Sequence, residues 1–239
     1  MSKKFISFIT AGDPSMAKTK EFIEVLAEHS DIIEIGLPFS DPLAEGEIIE
    51  AANMRALANG ATTTKMFEML KSTNVDSKLV ILTYINPIFV FGTEKFFANC
   101  KDSGIWGVII PDLPFEEIAE VKDFADKYGV HIITLISPTS AERVKMLAKE
   151  ASGFIYLVSS MGVTGVRENI SIDSEIVAQL RSVTDVPVCI GFGISTPEQA
   201  NTVREVADGV IVGSAFVKII AEHGENAAEP LRAYLKSMV

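Results

Sequence analysis

A chain of 239 residues with 48% apolar content is long enough to bury one sizeable core. Its formal charge of -11 excludes a protein that holds nucleic acid or an anionic membrane by its overall field, so an anionic ligand would need local positive potential. Cys100 and Cys189 supply neither a disulfide framework nor metal-ligand spacing and suit a reducing cytoplasm; no segment reads as a signal peptide or a membrane span.

Short apolar runs alternate with amphipathic ones along the chain. Phe5 to Thr10 reads as the first strand, with Ala11-Gly-Asp-Pro-Ser15 as its loop and a helical pattern through Phe22, Ile23, Leu26 and Ala27. Asp31 to Gly36 is the second strand. A helix from Glu47 to Ala58 stops at Asn59-Gly60, and Thr62 caps another through Met66, Phe67 and Leu70. Leu79 to Tyr84 is the third strand, broken by Asn86-Pro87 and followed by a helix from Thr93 to Cys100. Trp106 to Ile110 is the fourth, and after a helix from Phe115 to Lys127 the fifth spans Val130 to Leu135. Phe154–Val158, Val186–Ile190 and Gly209–Val212 complete a set of eight, with helical patterns after the last two. Eight strands, nearly all followed by helices, predict an α/β fold of the (β/α)8 TIM-barrel type, with residues 1–239 forming a single domain.

In such a barrel the chemistry belongs at the C-terminal ends of the strands. The positions there are Thr10 and Asp13, Glu34, Tyr84, Asp112, Ser137, Ser159, Gly191 and Gly213. The absence of Lys counts against a Schiff-base aldolase, and the absence of His against a His-rich metal site, so no metal is expected. Carboxylate chemistry remains. Glu34 is the one charge within the apolar run that follows Asp31, and no Lys or Arg lies between Lys20 and Arg55 to neutralise it locally. A carboxylate so placed must be paired, raised in pKa or set where substrate binds, the profile of a general acid/base. Three glycine-rich loops follow the last three strands: Gly162-Val-Thr-Gly165, Gly191-Phe-Gly-Ile-Ser195 and Gly213-Ser214. Glycines let backbone N–H groups approach an anion, and a helix starting at Ser214 aims its positive end at the same corner, predicting a phosphate site.

The motifs Phe8-Ile-Thr-Ala-Gly-Asp-Pro14, Glu34-Ile-Gly-Leu-Pro-Phe-Ser-Asp-Pro-Leu-Ala44, Tyr84-x-Asn-Pro87, Ile110-Pro-Asp-Leu-Pro114, Gly162–Gly165 and Gly191–Ser195 occur in one order over nearly the whole chain. In that order they resemble the α subunit of tryptophan synthase. The resemblance implies retro-aldol cleavage of indole-3-glycerol phosphate to indole and glyceraldehyde 3-phosphate, with no cofactor in this chain. It also implies a β subunit that carries PLP and receives the indole in an α2β2 assembly. Matched residue by residue, it implies Glu34 as the acid/base and Glu45 as the carboxylate that holds the indole N–H. Phe8, Leu82, Tyr84, Ile136 and Tyr156 match the indole pocket, Asp112 a supporting carboxylate near it, and Thr164 a further substrate contact. Gly165, Gly193, Gly213 and Ser214 match phosphate ligands.

The chain departs from the family pattern in places. Glu45 stands where the family has Asp, one methylene shorter, and a displacement of about 1 Å at such a site costs on the order of a hundredfold in rate. Glu45→Asp is therefore expected to raise kcat if the loop is family-like and to lower it if the loop is re-tuned around the longer side chain. Glu47 and Glu50 add negative charge beside a loop that touches the partner in the family, and Ser160 replaces an Arg of many relatives. The first strand opens at Phe5, so the helix that usually precedes it is expected to be missing. Two alternatives to a partnered lyase follow: a weakened barrel acting mainly as an allosteric β-binding subunit, and a free-standing lyase that releases indole.

Overall fold

The computed structural model describes residues 3–43, 45–137, 141–158, 174–191 and 193–239. Nine strands form one sheet: β1 (Lys4–Thr10), β2 (Ile32–Gly36), β3 (Lys78–Leu82), β4 (Ile105–Ile109), β5 (His131–Ile132), β6 (Thr134–Ile136), β7 (Ile155–Val158), β8 (Val188–Gly191) and β9 (Gly209–Val212). All pairs are parallel, in the order β5-β4-β3-β2-β1-β9-β8-β7-β6. The two ends of that order are one stretch of chain. β5 pairs with β4, β6 pairs with β7, and only Ile133 separates them. The expected fifth strand, Val130 to Leu135, is thus a bent strand in two parts, and the bend carries the sheet round into a nearly closed barrel.

Helices α1 (Met16–Leu26), α2 (Glu47–Ala58), α3 (Thr63–Lys71), α4 (Ile85–Phe91), α5 (Thr93–Asp102), α6 (Ala119–Tyr128), α7 (Ala141–Lys149), α8 (Ser174–Arg181), α9 (Pro197–Val206), α10 (Ser214–His223) and α11 (Ala228–Met238) accompany the strands. Their starts follow local chemistry. The Ser15 and Thr62 side chains accept from Lys18 N and Lys65 N, and Thr196 with Gln199 forms a reciprocal capping box before Pro197. The sequence reading took Asn86-Pro87 only as a break after β3, whereas the structure continues it as α4. Pro87 falls in the first turn of α4, where its missing N–H costs no hydrogen bond.

Strand periodicity sorts the core into two layers. Ile9, Ile33, Ile35 and Ile81 face outward against the helices, while Ile6, Ile32, Val80, Ile109, Phe154, Cys189 and Ile211 fill the barrel. Cys100 and Cys189 are free and buried. Among the described residues, no helix is long and apolar enough to cross a membrane.

Candidate active site

Glu34 lies on β2 between Phe8 of β1 and Val80 of β3. Ile32, two residues earlier, is inside the barrel and Ile33 and Ile35 are outside, so the period of two turns Glu34 inward, one layer above the apolar filling. The residue is 1% exposed, and its Oε1 has no hydrogen-bond partner among the described residues. Burial pushes its carboxyl up to about 8, so the acid is mostly protonated at neutral pH. A buried polar atom without a protein partner is costly, and a catalytic role or a bound group at this place would account for it.

That place is a cavity of about 650 Å³ at the C-terminal end of the strands, lined mainly by apolar groups. Phe8, Leu82, Leu135, Tyr156 and Ile211 form its walls around Glu34. Two glycines make room for the rings. A Cβ at Gly36 would sit 2.7 Å from Phe8 Cζ, and one at Gly191 would collide with the Tyr156 hydroxyl. Burial, then the proximity of Glu34, holds the Tyr156 phenol well above its ordinary pKa. Gly191→Ala is expected to drive Tyr156 off its rotamer into the cavity and to cost about 1–3 kcal/mol of stability. Denaturant unfolding reads the second effect; an unchanged midpoint would mean that Tyr156 has room to yield.

Glu45 reaches the same cavity from the loop after β2. Asn53, buried on α2, donates to its Oε2 at 2.6 Å, and the Tyr84 hydroxyl also hydrogen-bonds to the carboxylate. Burial raises the Glu45 pKa, and these two hydrogen bonds oppose the rise. Tyr84 fixes this loop at further points. Its hydroxyl accepts from Leu43 N at 2.9 Å, and its ring lies 5.1 Å from that of Phe39. The backbone after Tyr84 is in turn held by Asp112, whose Oδ1 accepts from Ile85 N at 2.9 Å at the start of α4. Asp112 does not line the cavity; it positions Tyr84, which does.

Gly193, Gly213 and Ser214 line the same cavity. Gly193 has a φ of 75°, which a residue with a Cβ rarely adopts, and Gly213 is the N-cap of α10 without a side chain to occupy the helix end. The Ser214 and Ala215 N–H groups therefore give this part of the cavity a positively polarised edge, while Phe216 N donates back to Gly213 O at 2.9 Å.

Most of the expected site residues converge here, with one correction. Ile136 is fully buried but belongs to the outer layer between sheet and helices, and Leu135 lines the cavity in its place. The two alternate in and out along β6, so a shift of one residue reverses the face. Asp13, one of the strand-end positions, is buried away from the cavity lining in a forked ion pair with Arg55 at 2.7 and 3.0 Å. Thr164 and Gly165, with the rest of the Gly162–Gly165 loop, Ser159 and Ser160, lie outside the described residues. His131, at the start of β5, packs against Trp106 with 4.8 Å between ring centroids and a tilt of 59°. Among the described residues no group of His, Cys, Asp and Glu is arranged to hold a metal ion. The sequence reading missed Ile49, Ser195, Lys218 and Tyr234, all on the cavity wall. Lys218 had a signal: it lies four residues beyond Ser214, on the same helix face.

Two tuned carboxyl groups and a glycine-capped helix start on the wall of one apolar cavity suit an aromatic substrate with a phosphate tail. Known proteins agree. A family model described as tryptophan synthase alpha chain matches residues 1–238. The tryptophan synthase alpha chain of Methanosarcina barkeri is 48% identical over 98% of this chain and 89% of its own length; that of Lacticaseibacillus casei is 43% identical over 99% and 90%. A chain solved in the tryptophan synthase a2b2 complex of Pyrococcus furiosus superposes with a TM-score of 0.92 at 36% identity, covering 100% of this chain and 99% of that one. With the barrel, the paired carboxyl groups and these near full-length matches in agreement, this chain belongs to the tryptophan synthase alpha chain family.

Proposed function

We propose that this chain cleaves indole-3-glycerol phosphate to indole and glyceraldehyde 3-phosphate, and that Glu34 moves both protons of the reaction. The observation that carries the reading is the buried Glu34 carboxyl, its Oε1 without a partner and its pKa held up to about 8, inside the apolar cavity. A retro-aldol cleavage needs a proton delivered to the indole C3 and another removed from the glycerol hydroxyl whose carbon leaves. Glu34, protonated in the free protein, gives its proton to C3. The resulting carboxylate then takes the hydroxyl proton as the C–C bond breaks, which regenerates the acid. Protonation at C3 places positive charge on the indole nitrogen, and Glu45, held by Asn53 and Tyr84, stabilises it through the N–H.

Phe8, Leu82, Leu135 and Tyr156 enclose the indole ring, which excludes water and strengthens both interactions. Gly165, Gly193, Gly213 and Ser214 take the phosphate by their backbone N–H groups, and Thr164 is a further substrate contact. A β subunit carrying PLP receives the indole in an α2β2 assembly, and this chain itself works without a cofactor. The reading treats residues 1–239 as one domain and places it in the cytoplasm, which suits the free thiols of Cys100 and Cys189.

Steady-state release of indole from indole-3-glycerol phosphate, with and without a β subunit, tests the reading; no indole under either condition would reject it. The phosphate end has its own test. A Cβ at Gly213 would lie 3.4 Å from that of Phe8, an ordinary contact, so the backbone accepts a side chain there. Gly213→Val is therefore expected to leave the fold intact and raise KM about tenfold or more by filling the space of the anion. An unchanged KM would put the phosphate elsewhere.

A further inference from the structure

Lys218 projects from α10 into the wall of the same cavity. Ala215, Lys218, Ile219 and Glu222 all line it, at the three- and four-residue spacing of a single helix face that begins beside Ser214. Among the described lining residues Lys218 is the one cation, set against Glu34, Glu45 and Glu222. Its ammonium is loosely held: the contact to Glu222 Oε1 is 3.9 Å, longer than a hydrogen bond, and both side chains are more than half exposed. Four residues of helix place its backbone about 6 Å beyond that of Ser214, within reach of an anion seated at the helix end.

We propose that Lys218 is a substrate-positioning residue that pairs with the phosphate group at the mouth of the cavity and that Glu222 competes with the phosphate for it. The proposal rests on the reading that the phosphate sits at Gly213 and Ser214. A chain with a formal charge of -11 repels a phosphate ester at long range, and backbone N–H groups act only over the last turn of the helix. A mobile ammonium one turn outward extends the attraction into solvent. It is a compact charge on a flexible stem, able to leave Glu222 as the phosphate enters. Because this pairing forms in the bound ground state and persists through the reaction at the far end of the substrate, it acts on binding and not on the chemical step.

Lys218→Met is expected to raise KM about tenfold while kcat stays within about twofold, and Lys218→Arg to restore KM to within about threefold of wild type. Glu222→Gln is expected to lower KM. Salt should raise the wild-type KM and have less effect on the Met variant, since screening removes an interaction that variant lacks. Inorganic phosphate should compete less well against substrate in Lys218→Met, whereas inhibition by uncharged indole should not change. A KM within twofold of wild type in Lys218→Met, with the same salt dependence, overturns the proposal. If Gly213→Val raises KM and Lys218→Met does not, the phosphate site stands and Lys218 is a surface residue paired with Glu222. If neither variant changes KM, the phosphate reading and this proposal fall together.

Discussion

Glu34→Gln is expected to abolish indole release, with a loss in kcat of at least about a thousandfold and little change in substrate binding. The amide keeps the shape of the side chain and removes the proton that must be given to C3 and recovered from the hydroxyl. Binding of indole-3-glycerol phosphate to the variant, followed by quenched intrinsic fluorescence or calorimetry, should remain near the wild-type affinity. Turnover within tenfold of wild type would show that another group carries the proton. The same substitution has a second consequence, in stability. The Glu34 carboxyl is raised from the ordinary 4.5 to about 8 by burial, so the folded chain holds a proton there that the unfolded chain has lost.

Between those two values each unit rise in pH destabilises the fold by about 1.4 kcal/mol through this one group, and above about 8 the loss levels off. The contribution is fully present below the unfolded value and disappears as pH rises through the folded one. Glu34→Gln removes the titration. The variant should gain on wild type progressively from pH 5 to pH 8 in denaturant midpoints. Parallel pH profiles for the two proteins would mean that Glu34 ionises in the folded chain at an ordinary pKa.

Glu45→Ala is expected to lower kcat by about 10²–10³ with a smaller change in KM, because the carboxylate interacts most strongly when positive charge develops on the indole ring. Activity near wild type would show that Glu45 takes no part in the chemistry. The conservative change is informative too. Sequence alone left the direction of Glu45→Asp open, and the structure decides it. Asn53 at 2.6 Å and the Tyr84 hydroxyl grip the carboxylate at the end of the longer side chain, and Tyr84 also anchors the loop at Leu43 N. An Asp held by the same backbone withdraws from both partners, so Glu45→Asp should lower kcat. A rise would mean that the loop closes far enough over substrate to carry the shorter side chain inward.

The barrel was legible in the sequence because its strands are buried on both faces and bounded by turn residues, which leaves short Val- and Ile-rich runs whose length and flanks set them apart from buried helices. Glu34 stood out for the same reason: one carboxyl in an otherwise apolar strand has to be either costly or useful. The glycines after the last strands made an anion corner the expectation through backbone chemistry, which is local and therefore readable. Which of two neighbours faces inward was not local. Ile136 and Leu135 are alike as residues, and only the bend at Ile133, which passes the chain from β4 to β7, sets the phase of β6 and puts Leu135 at the cavity. Asp13 and Asp112 both follow strands at the expected end, yet one is taken by Arg55 and the other by the first N–H of α4, partners 42 and 27 residues away in the chain. Lys218 went unread because it lies beyond the strand ends, on a helix whose rotation about its axis is fixed by Phe216, Val217 and Ile220 packing inward. Alternation, turns and lone charges are properties of a segment, so the sequence by itself determined the fold and singled out Glu34 as its candidate acid. Phase, rotation and pairing are properties of packed segments, so only the tertiary structure decided which side chains line the cavity.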